Sequence, residues 1–490
     1  MAFSLRNSNF LGANWCGSET GRYYEILNPA NLNEVIHRYP LSSVADALKG
    51  IESASQAFHR WRSVSVAERA SIMRKAAGII EENRDQIAEL ITRENGKLLS
   101  ESHAEIDNTI AELHFQVGEG ERQTGAANQS RDGTAWGYTR KQPLGVVSVI
   151  TPWNFPFNVP FRKLAPALMA GNTAVLKPAS QTAGVGELVV QILIESGLPA
   201  DALQFITGSG ADLSNVLVAS DSIRAVTFTG STAVGRHIAE NAASKFVRTQ
   251  LEMGGKNSVI ALADANLDLV AEQVVTGAYS CAGQWCTATS RLIAEKSIRD
   301  ELIEKLVQKV SELRLGAGTD PAATMGPVCG PQQLRSVLAH IDTASQQGGR
   351  LLHGGGRSLS DEHENGCFVL PTIFSLSDNN SDLSREEVFG PVLAIETAND
   401  YEHAIALANN VRYGLSSSIF TQDIDKSLDF AERSEVGLTH VNMHSAYKEP
   451  QFCFGGIKES GFGLPEAGRS GIHFFQDEKA VYIRRQYASG

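Results

Sequence analysis

No stretch of this sequence approaches the roughly 20 consecutive apolar residues needed to span a bilayer. The N-terminal MAFSLRNSNFLGANWCGSETG lacks the basic stretch and apolar core of a signal peptide. These two absences point to a soluble cytoplasmic protein. Basic runs are also missing: 43 Lys and Arg stand against 55 Asp and Glu, a net charge of −12. Nothing in so acidic a chain tracks a phosphate backbone, so no nucleic-acid partner is expected. Cysteine is scarce, with 6 in 490 residues at irregular spacings, which argues against a disulfide framework and for a reducing compartment. There is no repeat of 20–50 residues and no low-complexity segment. The 44 glycines follow no Gly-X-Y period, so they mark turns.

What is present is an ordinary globular composition, 42% hydrophobic and 20% charged. At this length two or three domains are expected. Turn residues between short apolar runs predict a surface hairpin over 22–38. From 44 to 123 the apolar residues recur at spacings of three and four (Ile72, Ala76, Ile79, Ile80, Ile87, Leu90, Ile91), the period of amphipathic helices. After Gly145 the period changes. Short β-branched runs at 146–150, 173–176, 203–206 and 225–229 alternate with helical stretches at 162–170, 183–196 and 233–243. That alternation predicts an α/β protein with a parallel, Rossmann-like sheet, whose ligands bind at the carboxyl ends of the strands. A second alternating series includes 291–294, the helix 298–313 and the strand 417–420, and 480–485 reads as a lone strand.

Several short segments carry chemistry-bearing side chains at such strand ends. Cys286, in Gly-Gln-Trp-Cys-Thr-Ala, sits among small residues that leave room for a substrate, although most lone cysteines are buried structural thiols. Glu252, just ahead of Gly254-Gly255 at the end of an expected strand, suits a general base projecting into a cleft. Asn154 lies in the rigid elbow Thr-Pro-Trp-Asn-Phe-Pro, where its amide suits an oxyanion donor or simply a turn. Gly230 and Ser231 open a helix after a strand, a place where backbone amides meet phosphate. Lys177, ending another strand, reaches ribose or phosphate oxygens, and Glu387 offers a carboxylate for ribose hydroxyls beside Phe389.

Together, PWNFP, KPAS, FTGSTAVG, LEMGGK, GQWCTA, EEVFGPV and FGGIKESG resemble, in order, the motifs of the aldehyde dehydrogenase superfamily, and the resemblance covers residues 10–485. It implies Cys286 as nucleophile, Glu252 as general base, and the Asn154 amide with the Cys286 backbone N–H as oxyanion hole. Lys177 and Glu387 would bind ribose hydroxyls, with Gly230 and Ser231 by the pyrophosphate. Ile150, Trp153 and Met253 would meet the cofactor mainly through backbone atoms, and Phe389 would flank the nicotinamide. The resemblance further implies a cofactor domain over 1–123 and 144–254, a catalytic domain over 255–455, and an oligomerisation arm over 124–143 and 470–490. A homodimer or homotetramer is therefore expected.

Many NAD-preferring relatives carry Glu at the fourth position of the Lys-Pro-x-x motif; here it is Ser180. A carboxylate repels a 2′-phosphate and a hydroxyl donates to it, so NADP is expected to be accepted, alongside or ahead of NAD. The alternative is an NAD enzyme whose ribose grip rests on Lys177. At the pocket mouth the resemblance places Arg162, as in semialdehyde dehydrogenases of the succinate-semialdehyde type, where it pairs a distal carboxylate; a surface or ion-pairing Arg is the plainer reading. The stretch GQ-x-CTATSR and the ending GFGLPEAGR are similar to the 2-oxoglutarate-semialdehyde group. Two departures weigh against a strict succinate-semialdehyde enzyme: Cys453-Phe454 replaces the usual Pro-Phe, and Ser280 stands where some relatives have a second Arg. Phe454 is taken as a substrate contact. Alternatives are a general or aromatic aldehyde dehydrogenase, a CoA-acylating relative, and a non-catalytic binding protein on this fold. His440 and His444 lack a third ligand, so no metal site is expected. Cys281 reads as packing, with redox pairing to Cys286 as the other option.

Overall fold

The computed structural model describes residues 3–484. Short runs rich in β-branched and apolar residues, too brief for helices and largely buried, form the parallel strands Val146–Ile150, Thr173–Lys177, Leu203–Phe205, Ile223–Thr229 and Arg248–Glu252. In space they lie as 203–205, 173–177, 146–150, 223–229, 248–252. The chain thus starts in the middle, builds outward on one side, and then returns to build on the other. The reversal falls between Val146–Ile150 and Ile223–Thr229, where Ile150 pairs with Phe228. A crevice opens beyond the carboxyl ends of strands at such a reversal. Antiparallel edges close the sheet: Phe10 pairs with Phe205, and Leu251 with Phe462.

The region that reads as continuously helical is four helices, Val44–Trp61, Val66–Glu82, Arg84–Asn95 and Leu99–Glu121. The hairpin is present as Tyr23–Asn28 against Asn31–Pro40. The helix Asn158–Met169 begins a turn earlier than its apolar pattern predicts, because Pro160 is tolerated in a first turn, where its missing N–H is not needed. Every residue of this helix is buried, including Arg162 and Lys163. A helix buried all round must find partners for any charge it carries.

A second sheet runs Arg350–His353, Thr372–Ser375, Val392–Ala398, Arg291–Glu295, Ser258–Ala261, Ser416–Phe420, Leu438–Val441. All its pairings are parallel except the first. The strand that reads as lone spans Gln476–Arg484 and pairs along its whole length with Ala135–Pro143 of the same chain. Its expected last residue, Arg485, and the rest of the expected arm to 490 lie outside the described residues. Ala127–Gln129 completes this three-stranded sheet on the far side. Among the described residues no helix is long and apolar enough to cross a membrane.

Candidate active site

A cavity of about 620 Å³ occupies the crevice. Its walls include Trp153 and Asn154 from the loop after Ile150, Gly230 and Ser231 after Thr229, and Met253 with Gly254. Cys286, Glu387 and Phe389 face them, and Arg162, Lys448, Phe454 and Glu466 complete the lining. Most of the residues singled out in the sequence are thus brought together.

Cys286 stands on an unusual backbone. Cys281, Ala282 and Gly283 are all left-handed, at φ +49°, +53° and +68°. Such a conformation costs on the order of 1–3 kcal/mol for each non-glycine residue, so the surroundings must enforce it. They do so at several points. The Cys281 N–H donates to Glu101 (2.6 Å) and the Gln284 side-chain amide donates to the Cys281 carbonyl (3.0 Å). The Cys329 N–H donates to the Gln284 side-chain oxygen (2.8 Å). Gly283 admits no side chain, since a Cβ there would lie 2.2 Å from the Gly390 carbonyl oxygen. The next residues, Gln284 to Cys286, are thereby turned toward Asn154, whose side-chain amide donates to the Gln284 carbonyl (2.9 Å). That bond uses one of the two Asn154 amide hydrogens and leaves the other. Burial pushes the Cys286 thiol up to about 12; Glu387 and Glu252 act in the same direction, while Arg162 and Lys448 oppose them. The resting thiol is protonated at neutral pH. Cys281 is buried in the kink, and its thiol is raised by burial well above the usual range.

Three acids on one helix organise the surroundings. Glu101, Glu105 and Glu112 are spaced i, i+4, i+11 along Leu99–Glu121, which puts them within about 40° of one another around its axis. Glu101 holds the kink before Cys286. Glu105 accepts from the Phe157 and Asn158 N–H groups (2.8 and 2.9 Å) and pairs with Lys97 (2.8 Å). Glu112 accepts from Arg162 Nε (3.1 Å) and Nη2 (2.9 Å) and from Lys448 (3.0 Å). Arg162 Nη2 also donates to Asn158 Oδ1 (2.6 Å), and its guanidinium lies 4.9 Å from the Phe454 ring centre. Arg162 is therefore ion-paired but not a surface residue, and it lines the cavity. With Lys448 it makes two cations over one carboxylate, a surplus of one positive charge. Burial alone would raise Glu112; Arg162 and Lys448 outweigh it and hold the acid at about 2.

Glu252 departs from expectation. It ends its strand, but Met253 and Gly254, not Glu252, line the cavity. Its carboxyl is buried, with Oε2 unpartnered and Oε1 so close to Gly455 that a Cβ there would lie 2.7 Å away. Antiparallel pairing of Glu252 with Gly461 aims the strand end at this Gly-rich turn instead of the open cleft. Burial, and then the nearby Glu466, push the acid well above its ordinary range. Glu466 is ion-paired with Lys163 and accepts from the Thr229 hydroxyl (3.2 Å).

On the sheet side, Glu387 accepts from the Gly255 N–H (3.0 Å), and burial pushes it up to about 7. A Cβ on Gly254 would lie 2.0 Å from Glu387, so only glycine lets this carboxylate approach. Phe389 is held left-handed at φ +54° by Gln333, which donates to its carbonyl (2.7 Å), and its ring meets Trp153 edge-on at 5.3 Å. Ser231 caps the helix Thr232–Ala243. Lys177, Ser180 and Ile150 lie outside the cavity lining, at or after the ends of adjoining strands. Lys177 is buried and donates to the Pro178 carbonyl (3.2 Å), and burial lowers it to about 8. The Ser180 hydroxyl donates to the Gly208 carbonyl (3.2 Å).

The model of the aldehyde dehydrogenase family matches residues 15–481. The chain belongs to this family. It is 39% identical over 476 residues to the alpha-ketoglutaric semialdehyde dehydrogenase of Bacillus subtilis (strain 168), covering 97% of this chain and 98% of that one. It is 37% identical to the alpha-ketoglutarate semialdehyde dehydrogenase of Haloferax volcanii, over 97% and 98% of the two chains. Among solved structures, the betaine aldehyde dehydrogenase of Staphylococcus aureus in complex with NAD+ superposes with a TM-score of 0.95 at 32% identity, over 99% and 97% of the chains.

Against this aldehyde dehydrogenase frame, sequence reasoning missed the buried charges Lys97, Glu105, Glu112, Lys163 and Glu466 and the half-buried Glu101 and Lys448. The three helix acids had a signal, since polar residues recur on one face of a helix whose other faces also pack. Lys448 had none, being in a loop without periodicity. The His440 ring is spent on its own loop, its Nε2 2.9 Å from the Tyr447 carbonyl. Among the described residues no cluster of three His, Cys, Asp or Glu is placed to hold a metal.

Proposed function

We propose that this aldehyde dehydrogenase oxidises a carboxylated semialdehyde to the free acid through a thioester on Cys286, using NAD(P). The observation that carries the substrate class is the surplus positive charge of Arg162 and Lys448 over Glu112, in the same cavity as Cys286. A distal carboxylate balances that charge, and the Phe454 ring packs beside it. The two semialdehyde dehydrogenases it resembles support the same class.

In this reading Arg162 and Lys448 favour the Cys286 thiolate, which attacks the aldehyde carbon. The free Asn154 amide hydrogen and the Cys286 N–H stabilise the oxyanion as it forms. A dinucleotide held by Lys177, Glu387, Gly230 and Ser231 would supply the hydride acceptor there. Glu252, which faces the Gly-rich turn in this structure, would turn toward Cys286 to take a proton from the water that opens the thioester; burial, and then Glu466, keep that carboxyl basic. Covalent catalysis splits the oxidation into two easier steps. A thiol acceptor such as CoA would not need this buried acid, so hydrolysis is favoured.

The dinucleotide site is supported by unsatisfied groups: the Thr151 hydroxyl is buried without a partner, and Lys177 has only its neighbour's carbonyl. Lys177 and Glu387 would hold ribose hydroxyls, Gly230 and Ser231 the pyrophosphate, and Ile150, Trp153, Met253 and Phe389 the nicotinamide half. Ser180 places no carboxylate near a 2′-phosphate, which favours use of NADP as well as NAD. The cofactor domain is assigned to 1–123 and 144–254, the catalytic domain to 255–455, and the arm, joining a homodimer or homotetramer, to 124–143 and 470–490.

The test is kcat/KM for succinate semialdehyde and 2-oxoglutarate semialdehyde against uncharged aldehydes of equal length, with both cofactors, in wild type, Arg162→Ala and Lys448→Met. A carboxylate preference that collapses in both variants is expected. Equal rates on charged and neutral aldehydes in wild type would make this a general or aromatic aldehyde dehydrogenase.

A further inference from the structure

The loop that carries Asn154 has no regular structure of its own, since it runs between the strand ending at Ile150 and the helix starting at Asn158. Three side chains from one short segment and the helix after it pin it. Asn95 donates to the Trp153 carbonyl (2.9 Å). Lys97 Nζ donates to the Asn154 carbonyl (2.7 Å) and lies 4.2 Å from the Phe155 ring centre. Glu105 accepts from Phe157 and Asn158, the last residue of the loop and the first of the helix. Lys97 and Glu105 meet each other at 2.8 Å with both side chains fully buried.

A fully buried ion pair is a poor stability device, because desolvation of two charges offsets most of the attraction, and apolar replacements of the same volume are often neutral or stabilising. What this pair does that an apolar pair cannot is hold the Asn154 carbonyl and the Phe157 and Asn158 amides, backbone groups on three of the five residues 154–158. We propose that Lys97 and Glu105 are positioning residues for the oxyanion donor. Through the Asn154 carbonyl and the Phe157–Asn158 amides they set where the Asn154 side chain stands against the backbone of the nucleophile loop. The proposal rests on the reading of Asn154 as that donor. Misplacement by about 1 Å costs on the order of 10²-fold in rate, so loss of either charge slows formation of the thioester. Cofactor binding is expected to change little, because Lys177, Glu387, Gly230 and Ser231 lie on other elements and the Trp153 carbonyl is held by Asn95 instead of by this pair.

The experiment is a double-mutant cycle between Lys97→Met and Asn154→Ala. It is read as the pre-steady-state burst of reduced cofactor, with cofactor affinity measured by fluorescence quenching. Asn154→Ala alone is expected to slow the burst by about 10²–10³. Lys97→Met alone should slow it by about 10²-fold with cofactor affinity unchanged, and should slow it little further in the Asn154→Ala background. Glu105→Gln retains an oxygen for the two amides while removing the charge. It enters the same cycle, and replaces Lys97→Met if that variant does not fold. Additive losses, or a normal burst in both charge variants, would overturn the positioning role while leaving Asn154 as the donor. A normal burst in Asn154→Ala would overturn both.

Discussion

Cys286 is a thiol that burial disfavours as an anion and two cations favour, and that balance is measurable. Its alkylation by iodoacetamide in the free enzyme is expected to accelerate as pH rises through the alkaline range, toward a midpoint near the value of about 12 set by burial. Removing Arg162 or Lys448 removes thiolate stabilisation, so alkylation at a fixed pH is expected to slow. A rate indifferent to both substitutions would separate these cations from the nucleophile. Glu112 makes the complementary statement about stability. Its folded-state value of about 2 lies below the ordinary carboxylate range. Its contribution is therefore present above pH ~4 and is lost as pH falls toward 2. Glu112→Gln is expected to lower the melting temperature at pH 7 and to flatten the acid limb; an unchanged acid limb would contradict the pairing.

At the scale of elements, the left-handed kink at 281–283 does what no side chain in the motif announces. Gly283→Ala combines a disfavoured φ with a Cβ 2.2 Å from a carbonyl oxygen, and is expected to cost several kcal/mol in urea unfolding, or to abolish activity with the kink displaced. An active, equally stable Gly283→Ala enzyme would mean that the kink is not required. The strands and helices around it were largely legible. Val146–Ile150 is where its β-branched run predicts, because a parallel strand covered on both faces is mostly apolar; its one polar side chain, Ser148, donates to the Leu217 carbonyl. Asn158–Met169 reads as starting only at 162 because Pro160 looks like a helix breaker until it sits in the first turn. The site was legible where a family motif carries the residue, as at Asn154 after the strand Val146–Ile150 and at Cys286 in its loop. It was illegible where partners come from distant elements, as with Lys97 and Glu105 beneath Asn154 or Lys448 beside Arg162. Glu252 shows the limit from the other side: its position follows from the motif, but its burial behind Met253 depends on pairing with Gly461, far along the chain.

For the whole molecule, the sheets divide the labour: one large sheet ends at the crevice, the nucleophile loop leads into the strand Arg291–Glu295 of the other, and the three-stranded sheet holds the strand Gln476–Arg484. Among the described residues, the strand Gln476–Arg484 pairs on one side only, and it exposes Tyr482 and Ile483. A long unpaired edge of this kind is a template for another chain. Deleting 476–490 is expected to reduce the mass measured by light scattering to that of a smaller assembly; an unchanged mass would remove the arm from the subunit contact. The central claim is that oxidation passes through a thioester on Cys286 which Glu252 resolves, and it is tested most directly in Glu252→Gln. Mixed with NAD(P) and succinate semialdehyde, this variant is predicted to release one equivalent of reduced cofactor per subunit and then stall, with intact mass raised by one acyl group that maps to the Cys286 peptide. Steady turnover without an adduct, or an adduct that persists in Cys286→Ala, would contradict the account.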